Sequence, residues 1–222
     1  ITGIVVSGVG LAAVYIAPLT QYLLKATSIS TTFLILGVGT LVLVSLLSQF
    51  LANPPASYTP AASVAPGAVA AKAPPVRPNL DWHEMLRTGQ FYQLWLMFVL
   101  AASAGLMVIS QVALIARDQA NIDKWGFAPV ATLALFNTLG RVVSGFLSDR
   151  IGRTNTMTLA FALQAVNMFT FIHYTTPALL IFGAAFTGLC YGTIFTLFPA
   201  TTADYYGVKN LGVNYGLVFT GF

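Results

Sequence analysis

Between Ile1 and Leu24, and again between Thr31 and Leu51, the chain carries no charged residue. A run of about 20 apolar residues is what an α-helix needs to cross a hydrocarbon core of about 30 Å, and water is a poor solvent for it. Five more such runs follow: Phe91 to Ile115, Phe127 to Leu147, Thr154 to Tyr174, Ala178 to Ala200, and one from Leu211 that reaches Phe222 after 12 residues. The 222-residue chain is 57% hydrophobic and 7% charged, with a mean hydropathy of +0.80, whereas soluble domains carry about 25% charged residues. The expected class is an all-α integral membrane protein, a helical bundle with about seven transmembrane segments.

The polar residues exclude several functions. The net charge of +4 comes from basic residues scattered through short loops, so no nucleic-acid surface is expected. Cys190 is alone in an apolar run and offers neither a disulfide nor a metal site. An enzyme would need an acid/base pair, a nucleophile or metal ligands inside the spans; His83 and His173 lie at interfaces, and no cofactor is expected. From Asn53 to Leu80 the composition turns to Ala, Pro and Ser, which predicts a disordered aqueous linker. Asp81 and Glu84 then form a capping-box pattern for a short helix carrying Trp82, Met85 and Leu86 along the membrane surface, with His83 solvated. Arg117 to Lys124 and Asp204 to Lys209 read as loops, with Trp125 anchoring the helix after the first. The absence of an initiator methionine and the short seventh run lead us to expect a fragment of a longer protein.

One charge lies within a span. Arg141 precedes Asp149 by eight residues, about 12 Å along a helix, which puts it near the middle of the bilayer. A guanidinium keeps its proton there, so it must meet backbone, a carboxylate, water or an anionic ligand. Snorkelling suits arginines nearer a helix end. A structural salt bridge is the stronger alternative, yet none of the spans contains an Asp or Glu. We therefore expect a ligand. At about 100° per residue, Asn137, Thr138, Arg141, Ser144, Gly145 and Ser148 share one stripe, expected to be wet, while Leu135, Leu139, Val143 and Phe146 lie opposite. Ser103, Met107 and Ser110, with Gln111 beside them, form a candidate second wall. Thr187, Tyr191, Ile194, Phe195 and Phe198 share a face of the sixth span and form a third, since pockets use aromatics against the apolar part of a ligand. Gln164 and Asn167 read as bridges between helices.

The run Gly145-Phe-Leu-Ser-Asp-Arg-Ile-Gly-Arg153 places a helix end, an acid, two arginines and a turn glycine in nine positions. Asp149 can accept from Arg150 or Arg153, and Gly152 permits a positive φ. This pattern resembles the loop signature of the major facilitator superfamily, found between helices 2 and 3 and between helices 8 and 9. The resemblance implies a cytosolic latch made of Gly145, Asp149, Arg150, Gly152 and Arg153 that closes in the outward-facing state. If the linker and this loop share a side, that side collects Lys72, Arg77, Arg87, Arg150, Arg153 and Lys209 against Lys25, Arg117 and Lys124, and is expected to be cytoplasmic. The layout is similar to helices 5 to 11 of a 12-helix carrier in the cell membrane. Residues 1–52 would be the last two helices of the N-terminal half, 53–89 the linker with its interfacial helix, and 90–222 the C-terminal half.

Gln90 to Phe98, Gly105 to Ile109, Leu135 to Arg141 and Asn214 to Thr220 are similar to the oxalate:formate antiporter branch of that superfamily. The resemblance implies exchange of small carboxylates by alternating access, with a proton or counter-anion as the coupled species and the missing N-terminal half as structural partner. It implies that Arg141 binds a substrate carboxylate and that Tyr191, Phe195 and Phe219 wall the site. Asn137 and Gln111 are added from the helical stripes. The branch has a lysine for a second carboxylate, and Phe222 stands at that position. An uncompensated carboxylate in a low-dielectric site costs several kcal/mol, so a single-headed anion is expected. The alternative is a transporter-like sensor that binds an anion without flux.

Overall fold

The computed structural model describes residues 2–51, 79–120 and 127–222. Most of the expected linker, and the loop from residue 121 with Trp125, lie outside the described residues. Among the described residues the chain forms eight α-helices, one 3-10 turn and no strand. They are α1 (Thr2–Ala26), α2 (Ile29–Ser48), α3 (Trp82–Leu86), α4 (Gly89–Ala120), α5 (Phe127–Ile151), α6 (Arg153–Thr170), the turn Phe171–His173, α7 (Pro177–Tyr206) and α8 (Leu211–Phe219). Five of the described helices are long and apolar enough to cross a membrane: α2, α4, α5, α6 with its 3-10 extension, and α7. Several helices outrun their apolar cores. Arg117 remains within α4 and Asp204 within α7, where a loop was expected for each, because backbone hydrogen bonding continues after hydropathy has fallen.

The chain divides into two units, residues 16–75 and residues 1–15 with 76–222. In the smaller unit, Ser28 caps α2 by accepting from the Thr31 amide at 3.2 Å, and α2 exposes almost all of its side chains. In the larger unit α7 is the axis. It is apolar on every side, as a helix buried all round should be, and α4, α5, α6 and α8 pack against it. The α5–α7 contact is the most extensive of any described pair. A core of Phe98, Ile194, Leu197, Phe198 and Val218 joins α4, α7 and α8.

The expected capping box forms in full: Asp81 Oδ1 accepts from the Glu84 amide at 2.8 Å, and Glu84 Oε2 accepts from the Asp81 amide at 2.9 Å. His83 stacks on Trp82 at the surface, and Met85 is buried. Just before this helix the Leu80 amide donates to the Tyr206 carbonyl at 3.0 Å, and the side-chain amides of Asn210 and Asn214 donate to the Leu80 carbonyl. The entry to α3 is thereby strapped to the α7–α8 corner.

Candidate functional site

Arg141 owes its position to how closely α5 and α7 approach. A Cβ at Gly188 would run into the Leu133 carbonyl, one at Gly192 into the Asn137 carbonyl, and one at Gly140 into the Leu189 carbonyl. Small residues at these crossings let the backbones touch. Thr196 Oγ1 donates to the Arg141 carbonyl at 3.0 Å and pins the same turn from α7. The stripe expected to be wet is therefore mostly a protein contact. Thr138, Ser144 and Ser148 are buried, and their hydroxyls donate to carbonyls within α5. Leu135, Leu139, Val143 and Phe146 face outward, as their spacing requires.

Arg141 is 3% exposed. Its Nε donates to Asn137 Oδ1 at 3.2 Å, and Nη1 donates to the Val6 carbonyl of α1 at 2.9 Å. Its Cζ lies 4.4 Å from the centroid of the Phe195 ring, a cation–π contact. These two contacts use two of the five guanidinium N–H donors and Phe195 covers a face, so N–H donors remain for an incoming oxygen. Among the described residues no carboxylate pairs with it. A fixed guanidinium with spare donors and no acid of its own is suited to hold an anion.

The aromatic residues form one connected wall. Tyr191 meets Phe195 edge to face at 5.3 Å, Phe195 meets Phe222 at 5.6 Å, and Phe222 stacks on Phe219 at 5.3 Å. Phe98 of α4 closes the wall at 5.8 Å from Phe219 and 6.1 Å from Phe222. Asn137, Arg141, Tyr191, Phe195, Phe219 and Phe222 thus lie in one cluster. Gln111 stands exposed on α4 with Ser103, Met107 and Ser110 and makes no described contact with the cluster. Within the expected aromatic face of α7, Thr187 instead accepts from Asn167 and Phe198 packs on Phe98. Three members had not been anticipated. Tyr215 packs on Phe219 with ring centroids 5.8 Å apart, and its position one helical turn before Phe219 was the available signal. Phe98 was readable only as core, and the Val6 carbonyl has no side-chain signature.

The loop signature forms a second, separate arrangement. Arg153 Nη1 donates to Asp149 Oδ1 at 2.8 Å and also reaches Ser148 Oγ, while Nε donates to Asp204 Oδ2 at 3.4 Å. Of the two arginines that Asp149 could have used, Arg153 is the one bonded to it; Arg150 is exposed. Gly152 turns the chain at φ 90°, a conformation that side chains disfavour, and nothing lies within 4 Å of a Cβ placed there, so its need is conformational. Gly145 accepts from Ser148 one turn earlier. Asp204, which sequence reasoning placed in a loop, extends this network to the end of α7.

The family model of the Major Facilitator Superfamily matches residues 1–222. The chain is 28% identical to the oxalate:formate antiporter of Oxalobacter formigenes over 219 residues, which is 97% of this chain and 50% of that protein. It is 33% identical to an uncharacterized MFS-type transporter, YhjX, of Escherichia coli K12 over 141 residues, 63% of this chain and 35% of that one. It is also 33% identical to apicoplast pyruvate carrier 2 of Toxoplasma gondii over 106 residues, 44% of this chain and 16% of the carrier. The chain therefore spans at most half the length of these relatives.

Proposed function

This chain belongs to the Major Facilitator Superfamily, and from that premise we propose that the full-length protein is a multi-pass membrane transporter that carries a small monocarboxylate across the cell membrane through the Arg141 site. The observation that carries the reading is a buried guanidinium, 3% exposed, that has donors to spare and no acid beside it among the described residues. In a low-dielectric site such a charge is costly unless an anion meets it, and a travelling anion needs such a charge for the same reason.

The substrate class follows from Phe222. Its ring packs on Phe195 and Phe219, beside the guanidinium, so an apolar surface occupies the place of a second cation. One guanidinium balances one carboxylate, and the aromatic wall suits a short apolar tail. Formate, lactate and pyruvate fit this description better than oxalate. Two of the similar proteins bear names in keeping with carboxylate transport, the oxalate:formate antiporter and the pyruvate carrier.

In this reading residues 1–52 belong to the N-terminal half and 90–222 to the C-terminal half, joined by a cytoplasmic linker at 53–89. The halves rock about the bound anion, and Arg141 neutralises it during the crossing. A proton or counter-anion completes the cycle, and the chemistry is transport without bond breaking. Uptake of labelled pyruvate, lactate, formate and oxalate into proteoliposomes of the full-length protein tests this. Monocarboxylates should be exchanged at least about tenfold faster than oxalate, a difference of about 1.4 kcal/mol, and Phe222→Lys should narrow the gap. Vigorous oxalate exchange by the unaltered protein would overturn the single-cation account, and anion binding without any flux would favour a sensor.

A further inference from the structure

Gly105 stands near the middle of α4 and is buried. Its ordinary helical backbone does not call for glycine, which in a helix interior is less favourable than alanine. What calls for it is the ring of Tyr191. A Cβ at position 105 would run into Cδ2 of that ring, and would lie 2.9 Å from Cε2 and 3.0 Å from Cγ. Because Cγ sits at the root of the ring, turning the ring about its own axis does not clear the clash, and the side chain has to move as a body. Among the described glycines, Gly105 is the one whose missing side chain houses a ring of the aromatic wall. Gly140, Gly188 and Gly192 face carbonyls across the α5–α7 contact, and Gly183 faces Tyr174 and Phe171, outside the cluster.

Tyr191 cannot answer such a clash by carrying α7 away from α4. Gly188 and Gly192 flank it in sequence, and both are already pressed against carbonyls of α5, while Thr196 is bonded to the Arg141 carbonyl. In an interior packed this closely the side chain gives before the helix does. Its neighbour in the wall is Phe195, met edge to face at 5.3 Å, and the Phe195 centroid lies 4.4 Å from Cζ of Arg141. Gly105, Tyr191, Phe195 and Arg141 thus form one line of contacts from the backbone of α4 to the guanidinium.

We propose that Gly105 is a specificity-determining positioning residue: the notch it leaves in α4 lets the Tyr191 ring lie back, and the ring's setting there fixes the room beside Arg141 for whatever follows the carboxylate. The inference rests on the reading of the Arg141 cluster as an anion site. A carboxylate held by the guanidinium is indifferent to the notch, but the group attached to that carboxylate is not. With a methyl at position 105 the ring stands forward against Phe195, and the space for a tail shrinks. Formate, which has no tail, feels this least; pyruvate, which carries an acetyl group, feels it most.

Equilibrium binding of formate, pyruvate and oxalate to the purified full-length protein tests this without requiring flux. Gly105→Ala should raise the Kd for pyruvate relative to that for formate by about tenfold, the scale of one methylene in a close-fitting pocket. In a Tyr191→Ala background, where no ring is left to strike, the same substitution should shift that ratio by less than about twofold. Equal weakening of both anions, or an undiminished effect without the Tyr191 ring, overturns the positioning role. So does an unmoved fluorine resonance of meta-fluorotyrosine at position 191 when Gly105→Ala is introduced, a readout that stands even if Tyr191→Ala fails to fold. Tighter binding of oxalate than of pyruvate by the unaltered protein overturns the single-cation account alone, and the oxalate-to-formate ratio then decides the role of Gly105. Binding of none of these anions overturns the anion site and this role with it.

Discussion

Arg141 illustrates how one side chain can be both buried and available. Nε and Nη1 are bound to Asn137 and to the Val6 carbonyl, and Cζ lies over the Phe195 ring. All three contacts depend on a planar fork, which lysine lacks. Arg141→Lys should therefore keep the charge but lose its aim, lowering anion uptake into proteoliposomes by about tenfold or more. Unimpaired uptake would remove the central role given to this residue. The arginine was legible because a charge in the middle of an apolar run demands an explanation. Its acceptors were less so, since one is a backbone carbonyl 135 positions away, and carbonyls are the same in every residue.

At the scale of elements, two contacts of α5 divide the labour. Its glycine-mediated packing on α7 sets where Arg141 stands. Its C-terminal end joins the Gly152 turn and, through Arg153, Asp149 and Asp204, links the start of α6 to the end of α7. Arg141 lies ten residues before Ile151, where α5 ends, about 15 Å along that helix, so the latch is remote from the anion. Arg153→Ala should accordingly slow exchange several-fold while leaving the affinity for substrate within about twofold. Arg150→Ala, at an exposed position, should have the smaller effect on rate. Stopped-flow exchange and equilibrium binding on the same preparations separate the two quantities, and equal effects of the two variants would contradict the assignment of Arg153 as the bridging arginine. The sequence pattern placed both arginines in the turn; only the fold brought Asp204 to one of them.

For the whole molecule the prediction concerns sidedness. From the excess of Lys and Arg on the side of the linker and of Asp149 we propose that this side is cytoplasmic. In a Cys190→Ala background, Lys209→Cys should react with a membrane-impermeant maleimide only from the cytoplasmic face, and Lys25→Cys only from the opposite face. Labelling of both from one face would invert or abolish the topology. The test is sound because Cys190 is buried in α7 and its removal leaves the loops untouched.

Hydropathy and helical period, which are properties of consecutive residues, determined the class of protein, the approximate spans, the outward face of α5 and the odd charge within it. A bilayer imposes those rules locally, one turn at a time, so they can be read without knowing which helix meets which. The partners of the groups that face inward were decided by the tertiary structure alone. Thr138, Ser144 and Ser148 are buried within the protein rather than wet, Gln111 stands exposed on α4, and Tyr215 and Phe98 join the cluster. The physical reason is that in lipid both the apolar and the small polar faces of a helix find favourable surroundings against other helices, so composition distinguishes inside from outside far more weakly than it does in water.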